Sequence, residues 1–179
     1  MILASSSPQR RAILEQLGIE FHVQVPGTEE IAEGEPRETV AGNALRKARA
    51  IESEGRVLGA DTAVVLDGRL FGKPLDAGQA ASFLGALSGR SHEVMSAIAL
   101  LEPDGSELTD VAVTRVRMRA LEGTLLDWYL ASGEWAERAG GYAIQGRGAA
   151  LIEGIEGDYT NVVGLPVPTL LRLAPDLIG

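Results

Sequence analysis

Cysteine is absent from the 179 residues. That excludes disulfides, thiolate zinc sites and a cysteine nucleophile. Aromatic residues make up only 4% of a chain that is 45% hydrophobic, so Leu, Ile, Val and Ala must fill the interior. The two histidines, His22 and His92, have no partner at metal-ligand spacing and read as structural. No apolar run approaches the ~20 residues that cross a bilayer. Met1-Ile2-Leu3-Ala4 is too short for the apolar region of a signal peptide, and no basic region precedes it. The expectation is a soluble cytoplasmic protein that does not engage a membrane. No Gly-rich loop ends in Lys-Ser or Lys-Thr, which excludes the usual P-loop pattern. Positive charge is scarce: 16 Lys and Arg against 25 Asp and Glu, a net charge of −9. A broad nucleic-acid-binding face needs a basic surface, so nucleic acid is not an expected partner.

What is present reads as alternating helices and strands. Met1 to Ala4 is a short buried strand. Ser7 caps a helix that Pro8 opens and Gly18 ends. Phe21 to Val25 alternates as a second strand, and Gly27 to Pro36 is an acidic loop. A long helix follows from about Pro36 to Ser53. Arg56 to Leu66 is a strand interrupted by Asp61, and Asp67-Gly68 turns it into Arg69-Leu70-Phe71. A helix spans about Ala77 to Leu87. His92–Leu101 and Leu108–Arg119 pair as antiparallel strands around Pro103-Asp104-Gly105. After a helix at about Thr124–Ala131 come a glycine-rich loop from Gly140 to Gly148, a short strand at Ala149–Ile152, a polar loop at Asp158–Asn161 and a final helix. This order predicts an α/β fold with a mixed sheet.

Four distant segments carry groups suited to a triphosphate and a metal ion. At Ser5-Ser6-Ser7-Pro8-Gln9-Arg10-Arg11 a strand runs into a serine-rich turn and a helix, presenting free N–H groups and the helix dipole to an anion. Arg10 and Arg11 stand in the first helical turn, where a cation is unfavourable unless an anion lies between. Asp61 interrupts an apolar strand, where an unpaired carboxylate would cost several kcal/mol; it must be paired, hydrated or on a metal. Gly72-Lys73-Pro74 holds one lysine in a rigid loop as a point charge for a phosphate, and Lys47 offers a second from the long helix. Glu29-Glu30 are paired carboxylates able to hold Mg²⁺ together with waters and substrate phosphates. Gln145, among glycines, has an amide that suits a base edge.

This set, with Gly59 to Thr62, Leu87-Ser88-Gly89-Arg90, Ala139 to Gly148 and Gly157 to Pro166, resembles the Maf family of nucleoside triphosphate pyrophosphatases over nearly the whole chain. The resemblance implies one Maf-like domain over residues 1–179, with a mixed twisted sheet flanked by helices and a cleft between two lobes, similar to inosine triphosphatase. It implies hydrolysis of a nucleoside triphosphate to monophosphate and pyrophosphate with Mg²⁺ or Mn²⁺, a house-cleaning activity on nucleotide pools. Ser7, Arg10, Glu30, Lys47, Asp61 and Lys73 match the family's active-site set, and Asp61 matches its proton acceptor. Thr62 and Gln145 match positions that mark the branch acting on dTTP and UTP. That branch reads Ser-Pro-Arg-Arg where this chain has Ser7-Pro8-Gln9-Arg10, so Gln9 departs from it. Arg11 lies about 100° further around the helix and does not simply replace the missing arginine.

On chemical grounds Asp61 either takes a proton from the attacking water or holds a metal with Glu30, while Arg10, Lys47 and Lys73 neutralise the leaving pyrophosphate. Other readings stay open: a 7-methyl-GTP or modified-nucleotide pyrophosphatase, a small-phosphoester hydrolase, and a nucleotide-binding regulator of septum formation without turnover. A homodimer also stays open.

Overall fold

The computed structural model describes residues 1–178. Its centre is one mixed seven-stranded sheet of β1 (Ile2–Ala4), β2 (His22–Val23), β3 (Val57–Leu66), β4 (Arg69–Phe71), β5 (Ser91–Leu101), β6 (Glu107–Met118) and β7 (Ile152–Glu156). The order is β2-β1-β3-β5-β6-β7, with β4 paired to the far end of β3. β1 runs parallel to β2 and β3, while β5, β6 and β7 continue antiparallel from β3. The predicted hairpin of β5 and β6 is present, with Leu101 opposite Glu107.

Helices α1 (Pro8–Gln16), α2 (Pro36–Arg49), α3 (Ala77–Leu87), α4 (Thr124–Ala131), α5 (Tyr159–Val163) and α6 (Val167–Leu173) flank the sheet. Successive side chains on a strand face opposite ways, and β3 shows the consequence. Val57 and Ala63 pack with Val40, Ala44 and Ala48 of α2. Leu58 and Ala60 pack with Leu14 of α1 and Leu170 of α6 on the other face. Beyond them Val64, Phe71, Leu84, Val116 and Tyr129 form a third cluster. Gly59 is required where α2 crosses: a Cβ there would lie 2.2 Å from the Ala44 carbonyl oxygen.

Several boundaries differ from expectation. α2 stops at Arg49 rather than near Ser53, because a turn from Ile51 N–H to Ala48 carbonyl folds Ile51 into the core. The second strand keeps only His22–Val23, both exposed at the sheet edge. Of the expected strand at residues 149–152, only Ile152 is strand. A 3-10 turn spans Gly146–Leu151 and the strand begins at Ile152, because the backbone at Gly148 folds onto Ala143, whose carbonyl would be 1.7 Å from any Cβ there. The polar stretch Asp158–Asn161 is mostly helix: Asp158 caps α5, its carboxylate accepting the Thr160 N–H at 2.7 Å.

Candidate active site

The topology leaves a gap beside β3. On the side away from β5, β1 pairs with it only as far as Gly59, and β4 resumes at Val64. Residues 60–63 therefore have no strand neighbour on that edge, and Asp61 and Thr62 lie there. A cleft of about 640 Å³ is built at this gap, a volume suited to a small ligand. Its walls come from the β1–α1 turn, Val25 to Glu30, Gly72-Lys73, Glu137 to Gln145 and Val162 to Gly164.

The alternation of β3 sends Asp61 and Thr62 to opposite faces, where each organises a network. Asp61 faces α2. Its Oδ1 accepts from Lys47 Nζ at 2.6 Å and its Oδ2 from Asn43 Nδ2 at 3.1 Å. Asn43 and Lys47 stand one turn apart on one helix face. Asn43 also exchanges two hydrogen bonds with the Ile31 backbone, each 2.9 Å. That anchors the acidic loop so that Glu30 Oε1 reaches the same Lys47 Nζ at 2.6 Å. Asp61, Lys47 and Asn43 are all buried; Glu30 is half-exposed. Burial pushes the Glu30 carboxyl up, but the hydrogen bond and charge of Lys47, with Lys73 and Arg10 further off, bring it below the ordinary value.

Thr62 faces α1 and α5. Its Oγ1 accepts from Arg10 Nη2 at 3.1 Å and lies 2.8 Å from Ser96 Oγ. Ser96 Oγ also donates to the Asn161 carbonyl at 3.1 Å, and Thr62 Oγ1 lies 3.4 Å from the Gly164 carbonyl. Arg10 also donates through Nε to the Gly164 carbonyl at 2.9 Å and through Nη1 to Ser5 Oγ at 3.1 Å. Burial pulls this guanidinium below its ordinary value while Asp61 and Glu30 pull it up; arginine stays charged in either case. Three of its five N–H groups are thus held by the protein. Arg10 thereby ties the first turn, β3 and the turn after α5 together.

The remaining expected residues divide. Ser7 accepts the Arg10 N–H at 3.4 Å as the cap of α1 and donates to Gln9 Oε1 at 3.3 Å, and both line the cleft. Lys73 stands at the rim, 3.3 Å from Glu137, both exposed. Gln145 lines the cleft and its side chain caps nothing. Arg11 is a correction. It points out of the cleft into an exposed i,i+4 pair with Glu15 at 2.7 Å, because one step along the helix rotates it away from Arg10.

Sequence reasoning missed Asn43, Ser96, Asn161 and Arg138. Asn43 carried a signal, its position four residues before Lys47; the others are brought in only by folding. Arg138 also lines the cleft. Counted with Arg138, the lining holds four cations, the others being Arg10, Lys47 and Lys73, against the three carboxylates of Glu30, Asp61 and Glu137, so the cleft is cationic by one charge in a chain of net charge −9, the sign that suits a polyanion. His92 is structural. It is buried, its Nε2 lies 2.7 Å from the Tyr142 hydroxyl, and burial pulls its pKa down to about 4.

The metal implied by the resemblance meets a donor set that fits it in kind. Asp61 and Glu30 converge closely enough to share one ammonium. Among the described residues no group of three or more His, Cys, Asp and Glu could hold an ion. Two carboxylates, with water and substrate phosphates completing the shell, match the habit of Mg²⁺.

The structure of a HAM1 protein from Coxiella burnetii matches with a TM-score of 0.53 over 98% of each chain at 20% identity, which shows the shared fold. The Maf-like protein family model matches residues 1–177, and the chain belongs to that family. It is 50% identical over 178 residues to the dTTP/UTP pyrophosphatase of Symbiobacterium thermophilum, covering 97% of this chain and 91% of that one. It is 45% identical over 180 residues to the dTTP/UTP pyrophosphatase of Dictyoglomus turgidum, covering 97% and 93%. No helix among the described residues is long and apolar enough to cross a membrane.

Proposed function

We propose that the protein hydrolyses nucleoside triphosphates, dTTP and UTP among them, to the monophosphate and pyrophosphate. The observation that carries this reading is the Asp61–Lys47–Glu30 cluster at the base of a locally cationic cleft. The two relatives, both dTTP/UTP pyrophosphatases, support it. In this reading a water oxygen bonds to the α-phosphorus, the bond to the bridging oxygen of the β-phosphate breaks, and Asp61 takes the proton from the water. Lys47 holds the Asp61 carboxylate in place, and Lys73 and the free N–H groups of Arg10 meet charge on the departing pyrophosphate. Asp61 and Glu30 would hold a Mg²⁺ or Mn²⁺ ion, which when bound supplies Lewis-acid stabilisation of phosphate oxygens.

The test is an assay of purified protein with UTP and Mg²⁺. Pyrophosphate and UMP are expected as first products, with nearly all turnover lost in excess chelator. Orthophosphate as first product, full activity in chelator, or binding without turnover would overturn the reading, and these outcomes separate it from a phosphoesterase and a regulatory binder.

Selectivity is expected to be looser than in the dTTP/UTP branch. The Gln9 amide accepts from Ser7 and lacks the charge and rigid fork of a guanidinium. Gln9→Arg is expected to raise the kcat/KM ratio of UTP over GTP by roughly 3–10-fold, the worth of about one hydrogen bond. An unchanged ratio would mean that position 9 does not read the base.

A further inference from the structure

We propose that Glu134 is a specificity-positioning residue: by accepting the backbone N–H groups of Arg147 and Gly148 it sets the conformation in which Gln145 meets the base of the substrate. The proposal rests on the nucleotide reading of the cleft. Glu134 is not among the residues lining the cleft, so it acts through the segment that is.

Both ends of that segment are pinned. At the far end Glu134 Oε2 accepts from Arg147 N at 2.9 Å and from Gly148 N at 3.3 Å. Two successive N–H groups converging on one carboxylate fix the backbone that carries them. Gly146 between Gln145 and this clamp has φ +61°, and a Cβ there would lie 3.0 Å from each Glu134 carboxylate oxygen. The clamp thus needs glycine twice over, for the left-handed backbone and for the close approach. At the near end Ala143 N donates to the Tyr129 hydroxyl at 3.2 Å, and its carbonyl packs against Gly148 where no Cβ intervenes.

Glu134 is itself oriented from α4. Its N–H donates to Ser132 Oγ at 3.1 Å, and that hydroxyl donates to the Tyr129 carbonyl at 2.5 Å. Tyr129 of α4 and Glu134 in the connection after it therefore hold the two ends of residues 143–148. Gln145 is left at the tip, facing the cleft with a side chain that caps nothing. Both N–H groups go to the same oxygen, which a Gln amide oxygen with two lone pairs can replace, whereas leucine at position 134 keeps much of the bulk and removes the acceptor.

The experiment compares wild type, Glu134→Leu, Gln145→Ala and the double variant by kcat/KM for UTP, dTTP, CTP and GTP, with thermal midpoints alongside. Glu134→Leu is expected to lower the UTP-to-GTP ratio about 10-fold, mainly through KM for UTP, the scale of one misdirected hydrogen bond. The double variant is expected to lose no more selectivity than Gln145→Ala alone, because the two residues act in series. If Glu134→Leu is unfolded at the assay temperature, Glu134→Asp, which keeps the charge one methylene short, takes its place. Equal losses on every nucleotide, additive losses in the double variant, or a wild-type ratio near one would each overturn the proposal. A wild type that turns over no nucleoside triphosphate would overturn the nucleotide reading, and this proposal with it, before any variant is compared.

Discussion

Asp61→Asn is expected to lower kcat by ~10²–10⁴-fold, the usual contribution of a positioned acid–base group, while the protein still folds. The stability effect is small for a reason visible in the cluster. Lys47 keeps Glu30 at 2.6 Å after the change, so no buried cation is stranded. The Asn amide oxygen can still accept from Lys47, and only the bond from Asn43 is exchanged for a poorer contact, a loss on the order of 1–3 kcal/mol. Assays well below the thermal midpoint, with circular dichroism to confirm folding, separate the two effects. A variant retaining most of its kcat would make Asp61 a structural partner of Lys47 and nothing more.

Lys47→Met is expected to be the more damaging change for the fold. Methionine fills much of the same volume, but the substitution leaves Asp61, 6% exposed, with only Asn43 as partner. Breaking a buried ion pair from one side costs about 3–5 kcal/mol. Urea unfolding at neutral pH should show that loss, and the double variant Lys47→Met/Asp61→Asn should recover a substantial part of it, since no charge is then left unpaired. If the double variant is less stable than Lys47→Met alone, the pair is not what holds α2 against β3 at this point. Turnover should be lost in both variants.

The comparison of sequence with structure is most instructive where the two diverge. Asp158–Asn161 looks like a polar loop because it lacks an apolar face. It forms most of a one-turn helix because Asp158 caps it and because Asn161, fully buried, donates to the Val94 carbonyl and to Thr114 Oγ1. Those partners lie 67 and 47 residues away, beyond any local pattern. Ala149–Ile152 has the composition of a strand, yet the Gly148–Ala143 contact imposes a 3-10 turn first. Arg10 and Arg11 are chemically alike and adjacent, and only the rotation of α1 sends one into three hydrogen bonds in the interior wall of the cleft and the other to an exposed pair with Glu15.

By itself the sequence determined the α/β class, the β5–β6 hairpin, the Ser7 cap of the first helix and the demand that Asp61 have a partner. These follow from local physics: periodicity, turn chemistry and the cost of a lone charge in an apolar strand. It also carried enough ordered motifs to place the chain among Maf-like proteins. Only the tertiary structure decided which partner Asp61 takes, that Glu30 shares it, that Thr62 turns to the opposite face to meet Arg10, and that Glu134 closes on the loop bearing Gln145. The reason is that β1 ends beside Gly59 and β4 starts beside Val64. The gap between them is a property of strand pairing, and pairing joins residues that no stretch of sequence holds together.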